Sequence, residues 1–120
     1  MTTSVEAFDV AGPAGRLEGL LNVPDAPIRR VALVCHPHPA YGGTMHHNVV
    51  YNVARALRER GLAVLRFNFR GVGRSEGRYD AGRGEQRDAQ AALDALVSRF
   101  PDARCWVAGF SFGSWVGLRA

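Results

Sequence analysis

Apolar and polar positions alternate at the start of the chain and then gather into blocks. VEAFDV alternates as a half-buried strand does, and GPAG follows as turn punctuation. RLEGLLNV reads as its hairpin partner, broken by PDAP. VALVCH is a continuous apolar run, which predicts a strand covered on both faces. Beyond the loop PHPAYGG, the segment TMHHNVVYNVARALRERG sets Val49, Val53 and Leu57 at helical spacing, with Gly61 as its stop. LAVLRFNF predicts a second buried strand, and RGVGRSEGRYDAG a loop. GEQRDAQAALDALVSRF predicts a helix with Ala89, Ala92, Leu93, Leu96 and Val97 on one face and Pro101 just past its end. ARCWVAGF reads as a third buried strand, after which the chain enters a helix at Phe112. Two hairpin strands and then strand–helix–strand–helix–strand define the α/β class with a mostly parallel sheet.

Composition narrows the partners more than the fold. A chain of 120 residues, 47% hydrophobic, suits one domain with an ordinary core. No apolar run is long enough to cross a bilayer, and MTTSVEAFDVAG lacks the charged start and apolar stretch of a secretory signal. Cys35 and Cys105 both sit in apolar strand-like runs, so buried free thiols in a cytoplasmic protein are expected rather than a disulfide. The net charge is +4 and all 15 basic residues are arginine. These are spread from Arg16 to Arg119 and interleaved with acids, as in RALRER and GRGEQRD. Without an aromatic-interleaved basic stripe, nucleic acid is not an expected partner.

The chemistry concentrates in Gly109-Phe110-Ser111-Phe112-Gly113, a G-x-S-x-G sequence between a strand and a helix. There a serine must adopt positive φ to lift its Oγ clear of the sheet, and the flanking glycines remove backbone clashes. Gly113, Ser114 and Gly117 are small where the helix must pack close. A glycine-rich helix start capped by a serine is the plainer alternative. A tetrahedral intermediate at Ser111 would need two backbone N–H donors, one from the following residue, Phe112, and one from the loop after VALVCH. In CHPHPAYGG, Pro37 and Pro39 have no N–H, which leaves His38, or else Ala40 or Tyr41. The prolines also stiffen the loop, and a preorganised donor is what transition-state stabilisation requires.

Taken in order, HPHPAYGGTMHHNVV, RFNFRGVGRSEG, YDAGRGEQRDAQAALDAL and VAGFSFGS resemble the small bacterial serine hydrolases of the α/β-hydrolase superfamily, in the dienelactone-hydrolase-like group. The resemblance runs from Val31 to Ala120. It implies an α/β-hydrolase fold, Ser111 as nucleophile, and the HPHP loop with Phe112 as the oxyanion site. Dienelactone hydrolases use cysteine at the position of Ser111, so their substrate is not carried over. Many superfamily members have aspartate where Asn68 stands, whereas this group is compatible with asparagine.

Other constellations weigh less. His36, His38, His46 and His47 invite a metal reading. Neighbours on a strand point to opposite faces, and adjacent helical residues lie about 100° apart, so three of them do not readily converge. GVGRSEG imitates a dinucleotide fingerprint, but Glu76 stands where the third glycine belongs and the next helix begins too late. A phosphate-binding P-loop needs a lysine, and the chain has none. No cofactor and no metal are expected. Asp80, Glu85 and Asp88 near a helix start are explained by its dipole. Arg70 and Arg74 are read as loop ties rather than as ligands for an acidic substrate.

The triad order in this superfamily is Ser, then Asp or Glu, then His. The nine residues after Ser111, FGSWVGLRA, contain neither an acid nor a histidine. Residues 1–120 are therefore expected to be the N-terminal part of a single α/β-hydrolase domain, cut after the nucleophile elbow, which would leave ARCWVAGF as an exposed apolar edge. The expected function of the whole protein is hydrolysis of a small carboxylic ester or thioester. The alternative is a catalytically silent binding domain of the same fold.

Overall fold

The computed structural model describes residues 3–120. Seven strands and three helices, two strands more than the sequence pattern predicts, follow one another as β1 (Thr3–Ala7), β2 (Val10–Gly12), β3 (Gly15–Leu17), β4 (Gly19–Pro24), β5 (Arg30–Cys35), α1 (Asn48–Glu59), β6 (Ala63–Phe67), α2 (Arg83–Arg99), β7 (Arg104–Gly109) and α3 (Phe112–Gly117). A five-stranded sheet has the order β1-β4-β6-β5-β7. Its β6, β5 and β7 are mutually parallel, and β4 joins antiparallel to both β6 and β1. The parallel part comes from the strand–helix repeat and the antiparallel flank from the N-terminal hairpin.

That hairpin is more broken than its sequence pattern predicts. The register Thr3↔Pro24 to Ala7↔Leu20 pairs β1 with β4, while Val10↔Leu17 to Gly12↔Gly15 makes a separate two-stranded ribbon. The single hairpin is thus two ladders, with Phe8 donating its N–H to the Gly19 carbonyl at the junction.

Side-chain alternation divides the core between the two faces of the sheet. Ala32, Val34 and Val64 pack with Val50 and Ala54 of α1. Val31, Leu33, Cys35, Leu65 and Phe67 pack with Ala89, Ala92 and Leu96 of α2 and Val116 of α3. Each such fully buried large apolar side chain contributes about 1.5–3 kcal/mol over its exposed state. Val97, placed by sequence on the apolar face of α2, is 41% exposed, whereas its neighbour Leu96, about 100° away around the helix, is fully buried.

Helix α1 starts four residues later than its apolar pattern suggests. His47 Nδ1 accepts from the Val49 N–H at 3.2 Å and caps the helix, and His47 donates its own N–H to the Thr44 carbonyl at 3.1 Å. At the other end of the sheet, β7 is an edge strand among the described residues. Its Trp106 and the following Phe110 are each 45% exposed, and Trp115 and Leu118 of the α3 region are exposed beside them. This corrects the expectation of two buried thiols. Cys35 lies fully buried beneath α3, and Cys105 is exposed on β7 because no strand covers it among the described residues.

Candidate active site

The turn between β7 and α3 has the backbone that the G-x-S-x-G motif requires. Ser111 sits at φ 56° and ψ −118° and is exposed; the only other non-glycine residue with positive φ among the described residues is Ala81. Such a conformation costs on the order of 1–3 kcal/mol, and the surrounding packing must hold it. A Cβ on Gly109 would lie 2.5 Å from the Ser114 nitrogen and 2.6 Å from the Gly113 carbonyl carbon. A Cβ on Gly113 would run into the carbonyl oxygens of Cys35 and His36. The two motif glycines therefore let β7, α3 and the end of β5 crowd together, and that crowding leaves the serine on top.

The loop after β5 lies against this turn. Its centre is a single 3₁₀ turn, Pro39–Tyr41, capped by His38. Sequence left three candidate donors in this loop, and hydrogen bonding separates them. The Ala40 N–H donates to His38 Nδ1 at 3.0 Å, and the Tyr41 N–H donates to the His38 carbonyl at 3.0 Å. Neither the His38 N–H nor the Phe112 N–H meets a protein acceptor among the described residues. The His38 and Phe112 rings are 5.0 Å apart, so these two residues are neighbours across the loop and the elbow.

Three of the four histidines, His36, His38 and His47, have separate structural roles. His36 is fully buried: its Nδ1–H donates to the Pro37 carbonyl at 2.7 Å, and its Nε2 accepts from the Phe69 N–H at 3.1 Å. Burial pushes its pKa down to about 4, so the ring is a neutral pin between β5 and β6 rather than a base. His47 caps α1 and stacks on Phe110 at 5.9 Å, and His46 is exposed in the preceding turn. Among the described residues no three His, Cys, Asp or Glu side chains are grouped to hold a metal, and Ser111 Oγ meets no imidazole or carboxylate.

Beneath the site runs a polar brace that motif reading missed. Asn68 accepts from the Met45 N–H at 2.8 Å and donates from Nδ2 to Glu18 Oε1 at 2.8 Å. Ser75 Oγ donates to the Asn68 carbonyl at 2.6 Å and accepts from the Glu18 N–H at 2.9 Å. The Arg74 N–H bonds Glu18 as well, and this is the largest influence holding the Glu18 carboxyl below its usual range. An aspartate at position 68 would have no N–H to give Glu18, which explains the asparagine. Arg70 is a loop tie, as read from sequence: its guanidinium forks onto buried Asp88 at 2.8–3.2 Å and donates to the Gly84 carbonyl. Glu85, also fully buried, accepts from the Asp80 and Gly82 N–H groups at 2.8 and 3.0 Å. Asp88 and Glu85 thus do more than answer the helix dipole, since together they fasten the 70–82 loop. The apparent dinucleotide glycines belong to that loop too: a Cβ on Gly73 would lie 2.6 Å from Asn68 Nδ2, so the brace occupies the space.

A strained serine elbow after a parallel strand, faced by a stiff loop with an open N–H, is the frame of an α/β serine hydrolase. Residues 27–120 match the family described as Serine aminopeptidase, S33, and the chain belongs to that family of hydrolases. It is 49% identical over 109 residues to the protein RP471 of Rickettsia prowazekii, covering 90% of this chain and 46% of that one. Among solved structures it is similar to XC6422 of Xanthomonas campestris, described as an α/β serine hydrolase without lid. The TM-score there is 0.92 at 45% identity, over 100% of this chain and 56% of the other. An α/β serine hydrolase homologue from Coxiella burnetii matches with TM-score 0.89 at 45% identity, over 93% of this chain and 54% of that one. The chain thus spans about half the length of these relatives. No helix among the described residues is long and apolar enough to cross a membrane.

Proposed function

We propose that the whole protein carrying this chain hydrolyses carboxylic esters or thioesters of small substrates. Ser111 Oγ attacks the acyl carbon, its proton passes to a histidine elsewhere in the longer protein, and the carbonyl oxygen becomes the oxyanion. The N–H groups of Phe112 and His38 receive that charge. The bond to the leaving group then breaks, the histidine protonates the leaving alkoxide or thiolate, and water releases the acid by the same steps in reverse order. An acid in the longer protein orients the histidine. The observation that carries this reading is the positive-φ backbone of Ser111, a strain that a merely capping serine has no need to hold. Two free thiols, Cys35 and Cys105, support a cytoplasmic setting.

The test is covalent labelling of the whole protein with a fluorophosphonate. The expected result is one adduct on Ser111 that vanishes in Ser111→Ala. Labelling that persists in that variant would remove Ser111 from the reaction. A silent binding domain of the same fold would instead give no adduct and no turnover, with small-molecule binding retained.

A further inference from the structure

Aromatic rings gather beside the serine turn. His38 packs on Phe112 at 5.0 Å, on Tyr79 at 5.0 Å and on Tyr41 at 5.3 Å, centroid to centroid. Tyr79 also lies 6.1 Å from Phe112, and Phe112 rests on Phe69 at 5.9 Å. Phe112 follows Ser111 in the chain, so the cluster grows out of the serine turn itself. Its base is closed and its outer members are open. Phe69 is fully buried, whereas Tyr79 is 48% exposed and Tyr41 is 82% exposed.

An exposed tyrosine on a mobile loop would mean little, but both of these are tied in place. The Tyr41 and Gly43 N–H groups both donate to the His38 carbonyl, at 3.0 and 3.1 Å, which closes the turn around Tyr41. A Cβ on Gly43 would collide with the Pro37 carbonyl, so that turn has no slack. Tyr79 is held through the next residue, Asp80, whose N–H donates to buried Glu85 at 2.8 Å. Its Oη also lies 2.9 Å from His38 Nε2. Two partly open rings are thus in position before any ligand arrives, and covering them costs little further ordering. A second ring gains more there than an alkyl group of equal area, because edge-to-face and offset pairs attract beyond the area they bury.

We propose that Tyr41 and Tyr79 are specificity residues of the serine site, and that the group they take is an aryl ring carried next to the scissile carbonyl. The proposal rests on the serine-hydrolase reading, which sets that carbonyl between Ser111 Oγ and the N–H groups of His38 and Phe112. The rings of those same two residues belong to the cluster, so a substituent on the carbonyl lies within its reach. The aryl ring belongs to either the acyl or the alcohol half of the ester, and the test separates the two.

The test compares matched esters on the whole protein. Ethyl phenylacetate against ethyl cyclohexylacetate places the ring on the acyl side. Benzyl acetate against cyclohexylmethyl acetate places it on the alcohol side. Each kcat/KM is divided by the rate of the same ester with hydroxide, which removes intrinsic reactivity. In one pair the wild type should prefer the aryl ester about tenfold. Tyr41→Leu and Tyr79→Leu keep apolar bulk and delete a ring, and each should cut that preference about threefold. Tyr41→Phe and Tyr79→Phe should retain it. Rings with a merely structural role would lower both esters of a pair alike, and an unchanged ratio in both leucine variants overturns the proposal. So does a wild type with no aryl preference in either pair. If no ester shows Ser111-dependent turnover, the hydrolase reading falls and binding decides the subsite. Saturable shifts of the Tyr41 and Tyr79 ring protons with phenylacetamide, and none with cyclohexylacetamide, then uphold it. Shifts with both amides or with neither overturn it.

Discussion

The C-terminal ends of β6 and β7 are adjacent in function but are held in opposite ways. At the end of β6, nearly every polar atom has a partner: Asn68 bridges Met45 and Glu18, His36 receives the Phe69 N–H, and Arg70 forks onto Asp88. At the end of β7, Ser111 has no side-chain partner among the described residues and occupies a backbone region that L-residues avoid. One end stores stability in satisfied buried polar groups, and the other stores strain at the serine proposed as nucleophile. The lesson is that substitutions at the two ends should separate stability from activity almost completely.

Four measurements would break or sharpen that contrast. The largest effect is expected on turnover. Ser111→Ala in the whole protein should lower kcat by up to about 10⁶-fold, the cost of losing a triad nucleophile, with the unfolding midpoint unchanged. A variant that lost stability in parallel would erase the distinction. Next, Asp88→Ala should cost about 3–5 kcal/mol in urea unfolding, because it strands the mostly buried Arg70 guanidinium. A cost under 1 kcal/mol would mean that this brace contributes little.

The third measurement varies pH. His36 has a pKa near 4 when folded against an ordinary 6.5, so the unfolded chain binds more protons between those values. Stability is therefore full above pH 6.5 and declines as pH falls, by about 3 kcal/mol at pH 4. Proton NMR gives the check, since His36 ring resonances that titrate near pH 6.5 would contradict its burial. The smallest effect has the opposite sign. Ser111→Gly relieves the positive-φ strain and should raise stability by about 1 kcal/mol, after the entropy cost of glycine is subtracted. A loss of stability would mean that the elbow is not strained.

What sequence could reveal follows the range of the interactions. The β5, β6 and β7 strands, both long helices and the serine turn were legible because apolar runs, 3.6-residue spacing and glycine placement are local signals. The split of the N-terminal hairpin was not, since VEAFDV and RLEGLLNV alternate without marking where the pairing changes. The start of α1 was missed because His47, an unusual cap, replaces the Ser, Thr, Asp or Asn that would announce it. Phe112 and His38 can be named as proposed donors from motif logic, but preferring His38 to Ala40 and Tyr41 rests on hydrogen bonds within the loop. The contact of Tyr79 with His38 and the Glu18–Asn68 link were beyond reach. They join positions 41 and 50 residues apart, and no local pattern encodes such pairings.

The two thiols give the fold a built-in pair of clocks. Cys35 is sealed under α3, where burial pushes its pKa to about 12, so an alkylating reagent can reach it only when that helix lifts. Cys105 faces outward from β7 and waits for no such opening. Any segment that pairs with β7 in the longer protein shields Cys105 and leaves Cys35 as it was. The ratio of the two alkylation rates then measures how fully that edge is covered at Cys105, without any knowledge of the substrate.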